Sequence, residues 1–249
     1  MVEKKSLIGP FIRIPRPEIV EILAIAGFDF AVVDLEHGSI MPNEVYPMIL
    51  AAERHGMRLI ARVPGLQENY IKWLLDLGIG GLQIPHIKTA DDAKKAIEFS
   101  KFHPSGSRGL CRFVRAAEFS NINKEQYIAE TNQKNVIILQ IEGKEGVDNI
   151  EEIAKVPGID ILFIGPYDLS QSLGVTGQIW HKEVIDRIDH VLDVCNKKKL
   201  ATGVFTDTLE GISKWHAKGI KYLNYRIEVE LLLTYAKTQL SEIRQITNF

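Results

Sequence analysis

Short apolar runs alternate with longer stretches of helical period along almost the whole chain. Residues 7–12, 28–33, 59–63, 81–84, 136–141, 159–164, 200–205 and 221–224 read as strands. Between them, residues 17–26, 69–77, 91–100, 147–155 and 184–197 read as helices. Ala93, Ala96, Ile97 and Ser100 recur at steps of three and four, as do Ile71, Leu74, Leu75 and Gly78. That spacing gathers small and apolar side chains on one helix face. Gly27, Gly56, Gly78, Gly158 and Gly219 each close a helical stretch just ahead of a strand. A left-handed terminal residue is expected there, and glycine suits it.

Eight strand–helix units in succession imply parallel strands joined by right-handed crossovers. An open doubly wound sheet competes with a closed barrel, but it usually carries a glycine-rich turn after its first strand. Here the first strand runs into Arg13-Ile14-Pro15-Arg16-Pro17, with no glycine triplet. The expected fold is therefore α/β, a (β/α)8 TIM barrel, with residues 1–249 as a single catalytic domain. Residues 105–134, with Arg108, Arg112 and Arg115, lack a clean period and are expected to form a long loop containing some helix.

Composition narrows the class. The 249 residues are 45% hydrophobic and 25% charged, which is ordinary for a globular chain. Thirty basic and 32 acidic residues leave a formal charge of −2, too balanced to attract nucleic acid or an acidic membrane surface. The apolar stretches are too short to span a bilayer, and the charged start, Met1 to Ser6, does not read as a signal peptide. Two cysteines, Cys111 and Cys195, are too few for a disulfide framework. A soluble, cytoplasmic protein is expected.

In a (β/α)8 barrel the reactive groups sit at the C-terminal ends of the strands. Those positions here read Asp34-Leu35-Glu36-His37, Arg62-Val63-Pro64, Gln83-Ile84-Pro85-His86, Gln140-Ile141-Glu142 and Gly165-Pro166-Tyr167-Asp168. Glu142 and Asp168 follow adjacent strands and offer two carboxylates with no histidine or cysteine beside them. That set suits a hard cation such as Mg²⁺ or Mn²⁺. The structural alternative is a helix cap at Asp168 and an ion pair to Lys144 at Glu142. His37, near Asp34 and Glu36, is a candidate general base, against a plain loop histidine. Arg62 could stabilise an enolate or carboxylate, or else pair with Glu36 or Glu142. Gly165-Pro166 leads into a helix start, where free N–H groups favour a carboxylate. His86 is ambiguous at a strand end.

Taken together, these stretches resemble the HpcH/HpaI aldolase family of the pyruvate/phosphoenolpyruvate barrel superfamily. The resemblance rests on residues 27–37, Arg62-Val63-Pro64, residues 72–78, Pro104-Ser105-Gly106-Ser107-Arg108-Gly109, Gln140-Ile141-Glu142 with residues 145–149, and residues 163–170. It runs over about residues 5 to 225. It implies a class II aldolase in which Glu142 and Asp168 bind a divalent cation, Mg²⁺ or Mn²⁺ with Co²⁺ as a further option. A pyruvate unit would be held by the metal, Gln140 and the backbone at Gly165, Pro166, Tyr167 and Asp168. His37, polarised by Asp34, would take the C4 hydroxyl proton, and Arg62 would stabilise the enolate. Asp76 matches an aspartate near the subunit interface, and a homo-oligomer, such as a hexamer, is implied. The partners are then a small 2-oxo acid and an aldehyde. Leu35, Gly143 and Tyr167 depart from the common pattern of glycine, a hydroxyl residue and alanine, and Tyr167 would reshape the acceptor pocket.

Other uses of the same enolate are oxaloacetate decarboxylation and cleavage of a citrate- or malyl-type CoA ester, for which Arg108, Arg112 and Arg115 are the available basic cluster. A Schiff-base aldolase needs a strand lysine, and residues 161–164 have none. A catalytically silent barrel that binds a 2-oxo acid is the reading from outside enzymology.

Overall fold

The strands fall where apolar runs meet the period of two. They are β1 (Leu7–Ile12), β2 (Phe30–Asp34), β3 (Arg58–Arg62), β4 (Gly81–Ile84), β5 (Val136–Ile141), β6 (Ile161–Ile164), β7 (Ala201–Thr206) and β8 (Tyr222–Ile227). In this computed structural model, which describes residues 6–247, they pair in parallel and in chain order, and β8 closes onto β1. The fold is a (β/α)8 barrel. The expected single domain of 1–249 takes in residues 1–5 and 248–249, which lie outside the described residues. The reading of the charged N-terminus rests on those first residues and lies outside them too.

The helices are α1 (Pro17–Ile25), α2 (Pro42–Arg54), α3 (Glu68–Asp76), α4 (Ala90–Ser100), α5 (Lys124–Lys134), α6 (Lys144–Asp148), α7 (Ile150–Ile153), α8 (Pro166–Ser172), α9 (Lys182–Lys198), α10 (Leu209–Ala217) and α11 (Glu228–Thr247). One expected helix, 147–155, is instead the pair α6 and α7, broken at Asn149. Periodicity did not reveal α2, α10 or α11, whereas α8 was expected from the helix start at Gly165-Pro166; α2 hides because Pro47 lies within it. The 105–134 segment contains a 3₁₀ stretch, Arg115–Ser120, then α5, and packs as a satellite around Phe102, Ala117 and Tyr127. The glycines expected to end helices take positive φ, for example +94° at Gly27 and +85° at Gly78.

Two apolar layers result from strand alternation. Outward residues such as Ala31, Val33, Leu82, Leu139 and Leu162 pack against helix residues including Leu74, Ala93, Ile97 and Ile188. Inward residues Phe30, Val32, Ile60, Ile138, Phe163 and Tyr222 fill the barrel. Phe30 stacks on Tyr222 with ring centres 4.1 Å apart, and Phe163 meets Tyr222 edge-on. Gly203 on β7 makes room for them, since a Cβ there would stand 2.8 Å from both rings.

Candidate active site

The same period of two that fills the barrel delivers the site. On β2, Phe30 and Val32 face inward and Asp34 is the next inward residue. On β3, Arg62 follows Ile60; on β5, Gln140 and then Glu142 follow Ile138. Strand register sets Asp34 beside Arg62 and Arg62 beside Gln83. All five polar side chains are buried.

Asp34 anchors this layer. Arg62 donates Nε to its Oδ1 at 2.9 Å and Nη2 to its Oδ2 at 2.8 Å. Arg13 donates to Oδ2 at 3.2 Å, and the backbone N–H groups of Glu36 and His37 donate to Oδ1. Burial alone would raise the Asp34 carboxyl, but the bonds and charge of Arg62, with His37 N–H and Arg13, outweigh it and hold it below its usual value. The expected contact between Asp34 and the His37 ring is therefore corrected. Asp34 grips the His37 backbone, and the carboxylate near the ring is Glu36, whose Oε2 lies 3.8 Å from Nε2.

Arg62 does make a structural ion pair, chiefly with Asp34 and also with Glu36, 3.2 Å from Nε, rather than with Glu142. It also covers the Phe11 ring at 4.4 Å. Its Nη1 has no hydrogen-bond partner among the described residues, so one edge of the guanidinium is fixed and the other is uncommitted.

A cavity of about 130 Å³ opens against this layer. It brings together His37, Arg62, Gln140, Gly165, Pro166, Tyr167 and Asp168, with Arg13 and an apolar wall of Phe11, Phe163, Phe205 and Ile227. Gly165 permits the close approach of two strand ends, since a Cβ there would stand 2.9 Å from Glu142 Cβ and 3.2 Å from its Oε2. Tyr167 reaches across and donates to Asp207 at 2.7 Å. Burial and that bond push its phenol up to about 12. Asp76 is not brought here. It ends α3, which returns the chain to the opposite end of the barrel, and it pairs with Arg108 at 2.5 Å.

Glu142 keeps company the sequence did not reveal. Its Oε1 accepts the His86 backbone N–H at 2.8 Å and lies 2.7 Å from the His86 Nδ1. The other ring nitrogen of His86 lies 2.8 Å from Glu36 Oε1. Gln140 donates to Glu142 Oε2 and accepts from Gln83 at 2.5 Å, so two buried amides fix the carboxylate. One ligand atom from each of Glu36, His86 and Glu142 lies within 4.8 Å of the others. The expectation of carboxylates with no histidine beside them is thus corrected. Asp168 stands outside that trio, on the exposed wall of the cavity. Burial, with the Glu142 charge, raises Glu36 despite Arg62, and its buried Oε2 accepts no hydrogen bond. Two carboxylates and a histidine nitrogen converging within 4.8 Å fit a cation.

Reading the strand ends gave Gln83 and Arg13 no role, offered Glu36 only as a neighbour of His37, and left His86 ambiguous. Gln83 was findable, because an amide at an inward position beside Arg62 has no packing reason to be there. His86 was not: its φ of +61° turns the ring back toward the barrel axis, a conformation that sequence does not encode for a non-glycine residue.

The chain is similar to known proteins in both sequence and fold. The sequence model of a family described as HpcH/HpaI aldolase/citrate lyase matches residues 7–232. A 5-keto-4-deoxy-D-glucarate aldolase from Shigella boydii serotype 18 (strain CDC 3083-94 / BS512) is 32% identical over 207 residues, 82% of this chain and 79% of that protein. The crystal structure of an HpcH/HpaI aldolase/citrate lyase family protein from Burkholderia cenocepacia J2315 superposes with a TM-score of 0.91 at 31% identity, covering 96% of this chain and 95% of that one. The citrate synthase SbnG superposes with a TM-score of 0.89 at 28% identity, covering 98% and 96%.

Proposed function

Because this chain belongs to the HpcH/HpaI aldolase/citrate lyase family, a family of carbon–carbon lyases, we propose that it is a class II aldolase. In this reading it reversibly cleaves a 4-hydroxy-2-oxo acid to pyruvate and an aldehyde, with Glu142 and Asp168 holding a divalent cation such as Mg²⁺, Mn²⁺ or Co²⁺. The observation that carries it is the convergence of Arg62, Gln140, His37 and Asp168 on one small cavity beside Glu142.

The ion would supply Lewis-acid charge to the oxygens of the oxo acid. Gln140 and the backbone N–H groups at Tyr167 and Asp168 would hold the substrate carboxylate. His37 would remove the C4 hydroxyl proton, the C3–C4 bond would break, and its electron pair would pass into the enolate of pyruvate. Arg62, clamped by Asp34 on one edge, would direct Nη1 at the developing charge without having to reorganise. Tyr167 and Phe205 would shape the aldehyde side. None of the eight strands contains a lysine, which supports metal over Schiff-base chemistry.

CoA-ester cleavage is less well supported. Arg108 is committed to Asp76, and Arg115 to Leu77 O and Glu53, so the basic cluster is largely internal. Similarity to a citrate synthase keeps that use of the enolate as the second reading. No described helix is long and apolar enough to cross a membrane. We take the protein to act as one barrel domain in the cytoplasm, as a homo-oligomer. Leu232, Leu233, Tyr235 and Leu240, exposed along α11, support assembly.

The test is a panel of 4-hydroxy-2-oxo acids, oxaloacetate and citryl- and malyl-CoA, assayed with EDTA and after adding back Mg²⁺, Mn²⁺ or Co²⁺. Pyruvate release from a hydroxy-oxo acid, abolished by EDTA and restored by metal, is expected. Full activity in chelated protein would remove the class II reading, and turnover of none of them would favour a silent barrel.

A further inference from the structure

His86 is the side chain that this mechanism leaves without a task. It follows β4 by two residues and adopts a left-handed φ of +61°, which costs a non-glycine residue conformational energy. That turn sends the imidazole between two carboxylates from different strands, Glu142 after β5 and Glu36 after β2. The ring is 57% exposed, so burial does not explain its placement. Glu142 Oε1 meets both the His86 backbone N–H and Nδ1, which fixes ring and carboxylate as one unit.

We propose that His86 is a ligand to the divalent ion at Glu142, through Nδ1, with its Nε2–H held by Glu36. The proposal rests on the metal-dependent reading above and adds a nitrogen donor to it. Two donors on one ion at about 2.1 Å each stand about 3 Å apart, close to the 2.7 Å separation of Nδ1 and Oε1. A carboxylate on the far nitrogen is the usual partner of a metal-bound histidine, since it fixes the tautomer and raises the basicity of the ligand. Glu36 is suited to that part, being buried beside Arg62 and aimed at Nε2 at 2.8 Å. An imidazole donor shifts preference toward Mn²⁺ and Co²⁺, which accept nitrogen, and away from Mg²⁺, which favours oxygen and retains its waters.

The test uses tag-free protein loaded with Mn²⁺ alone and pulsed EPR, which detects a directly bound imidazole nitrogen without any turnover. A ¹⁴N coupling is expected in the wild type, retained in His37→Ala and lost in His86→Gln. Calorimetry with Co²⁺ should show affinity falling about 10- to 100-fold in His86→Gln, while Mg²⁺ affinity changes little. One bound Mn²⁺ without nitrogen coupling in the wild type overturns this proposal and leaves the aldolase reading intact. Loss of the coupling in His37→Ala but not in His86→Gln overturns it as well. Failure of the wild type to bind any of Mn²⁺, Co²⁺ and Mg²⁺ overturns both. The wild-type spectrum decides even where a variant does not fold.

Discussion

The two ends of this barrel are built from similar residues and put them to opposite uses. The N-terminal end has the larger opening, about 630 Å³, rimmed by Arg58, Lys134, Asp160 and Lys199. Two of its charges bind backbone, Arg58 donating to Gly80 O and Lys134 O and Asp160 accepting from Ile137 N–H, while Lys134 pairs with Glu130 outside the barrel. Arg58 and Asp160 finish the strand starts. At the C-terminal end a cavity of about 130 Å³ is bordered by side chains that bind one another: Asp34 with Arg62 and Arg13, and Gln83 with Gln140 and then Glu142. Volume is a poor guide to the site. What separates the ends is whether the charged groups also bind one another around a space.

That contrast can be broken by substitution. The largest effect is expected at His37. His37→Ala should lose about 10²- to 10⁴-fold in aldol cleavage, read as kcat on a hydroxy-oxo acid, and retain oxaloacetate decarboxylation, which needs no hydroxyl proton removed. Equal loss of both would move His37 from proton transfer to binding.

Next comes Asp34, where breaking a buried pair typically costs about 3–5 kcal/mol. Asp34→Asn should show this in urea unfolding. The sign of its pH dependence follows from a folded carboxyl held below its usual value. Its stabilisation is full above about pH 4 and is lost as pH falls through the lowered folded value, so the variant should have a flatter acid limb. An unchanged acid limb would mean that Asp34 is not tied to Arg62 in solution.

The smallest effect belongs to the other end. Arg58→Ala should cost about 1–2 kcal/mol through two lost backbone caps and leave kcat at the wild-type value. A fall in kcat there would dissolve the distinction between the ends.

Much of this was legible in the sequence, for physical reasons. Parallel buried strands write themselves as apolar runs, so β1, β4 and β5 match residue for residue, while β2 and β8 shift by one to three residues at their ends. Inward polar positions at strand ends stand out because packing would exclude them, which exposed Arg62, Gln140 and Glu142. The sequence did not carry side-chain partnership. Asp34 lies three residues from His37 yet bonds its backbone and not its ring. His86 lies 56 residues from Glu142 yet touches it, because closure of the barrel and a left-handed turn bring them together. Within the chain Asp76 pairs with Arg108 and lies away from the cavity.

The claim that the C-terminal end is arranged to stabilise an enolate is tested most directly by exchange of the pyruvate methyl protons with D₂O, followed by proton NMR on metal-loaded enzyme. Exchange forms the enolate without needing any aldehyde, so it is blind to the unknown acceptor. Arg62→Lys keeps a positive charge beside Asp34 but loses the planar fork and Nη1. Both Arg62→Lys and Arg62→Ala should slow exchange by about 10²- to 10³-fold while still binding Mn²⁺. Exchange at the wild-type rate in both variants would contradict the assignment and leave Arg62 a purely structural partner of Asp34.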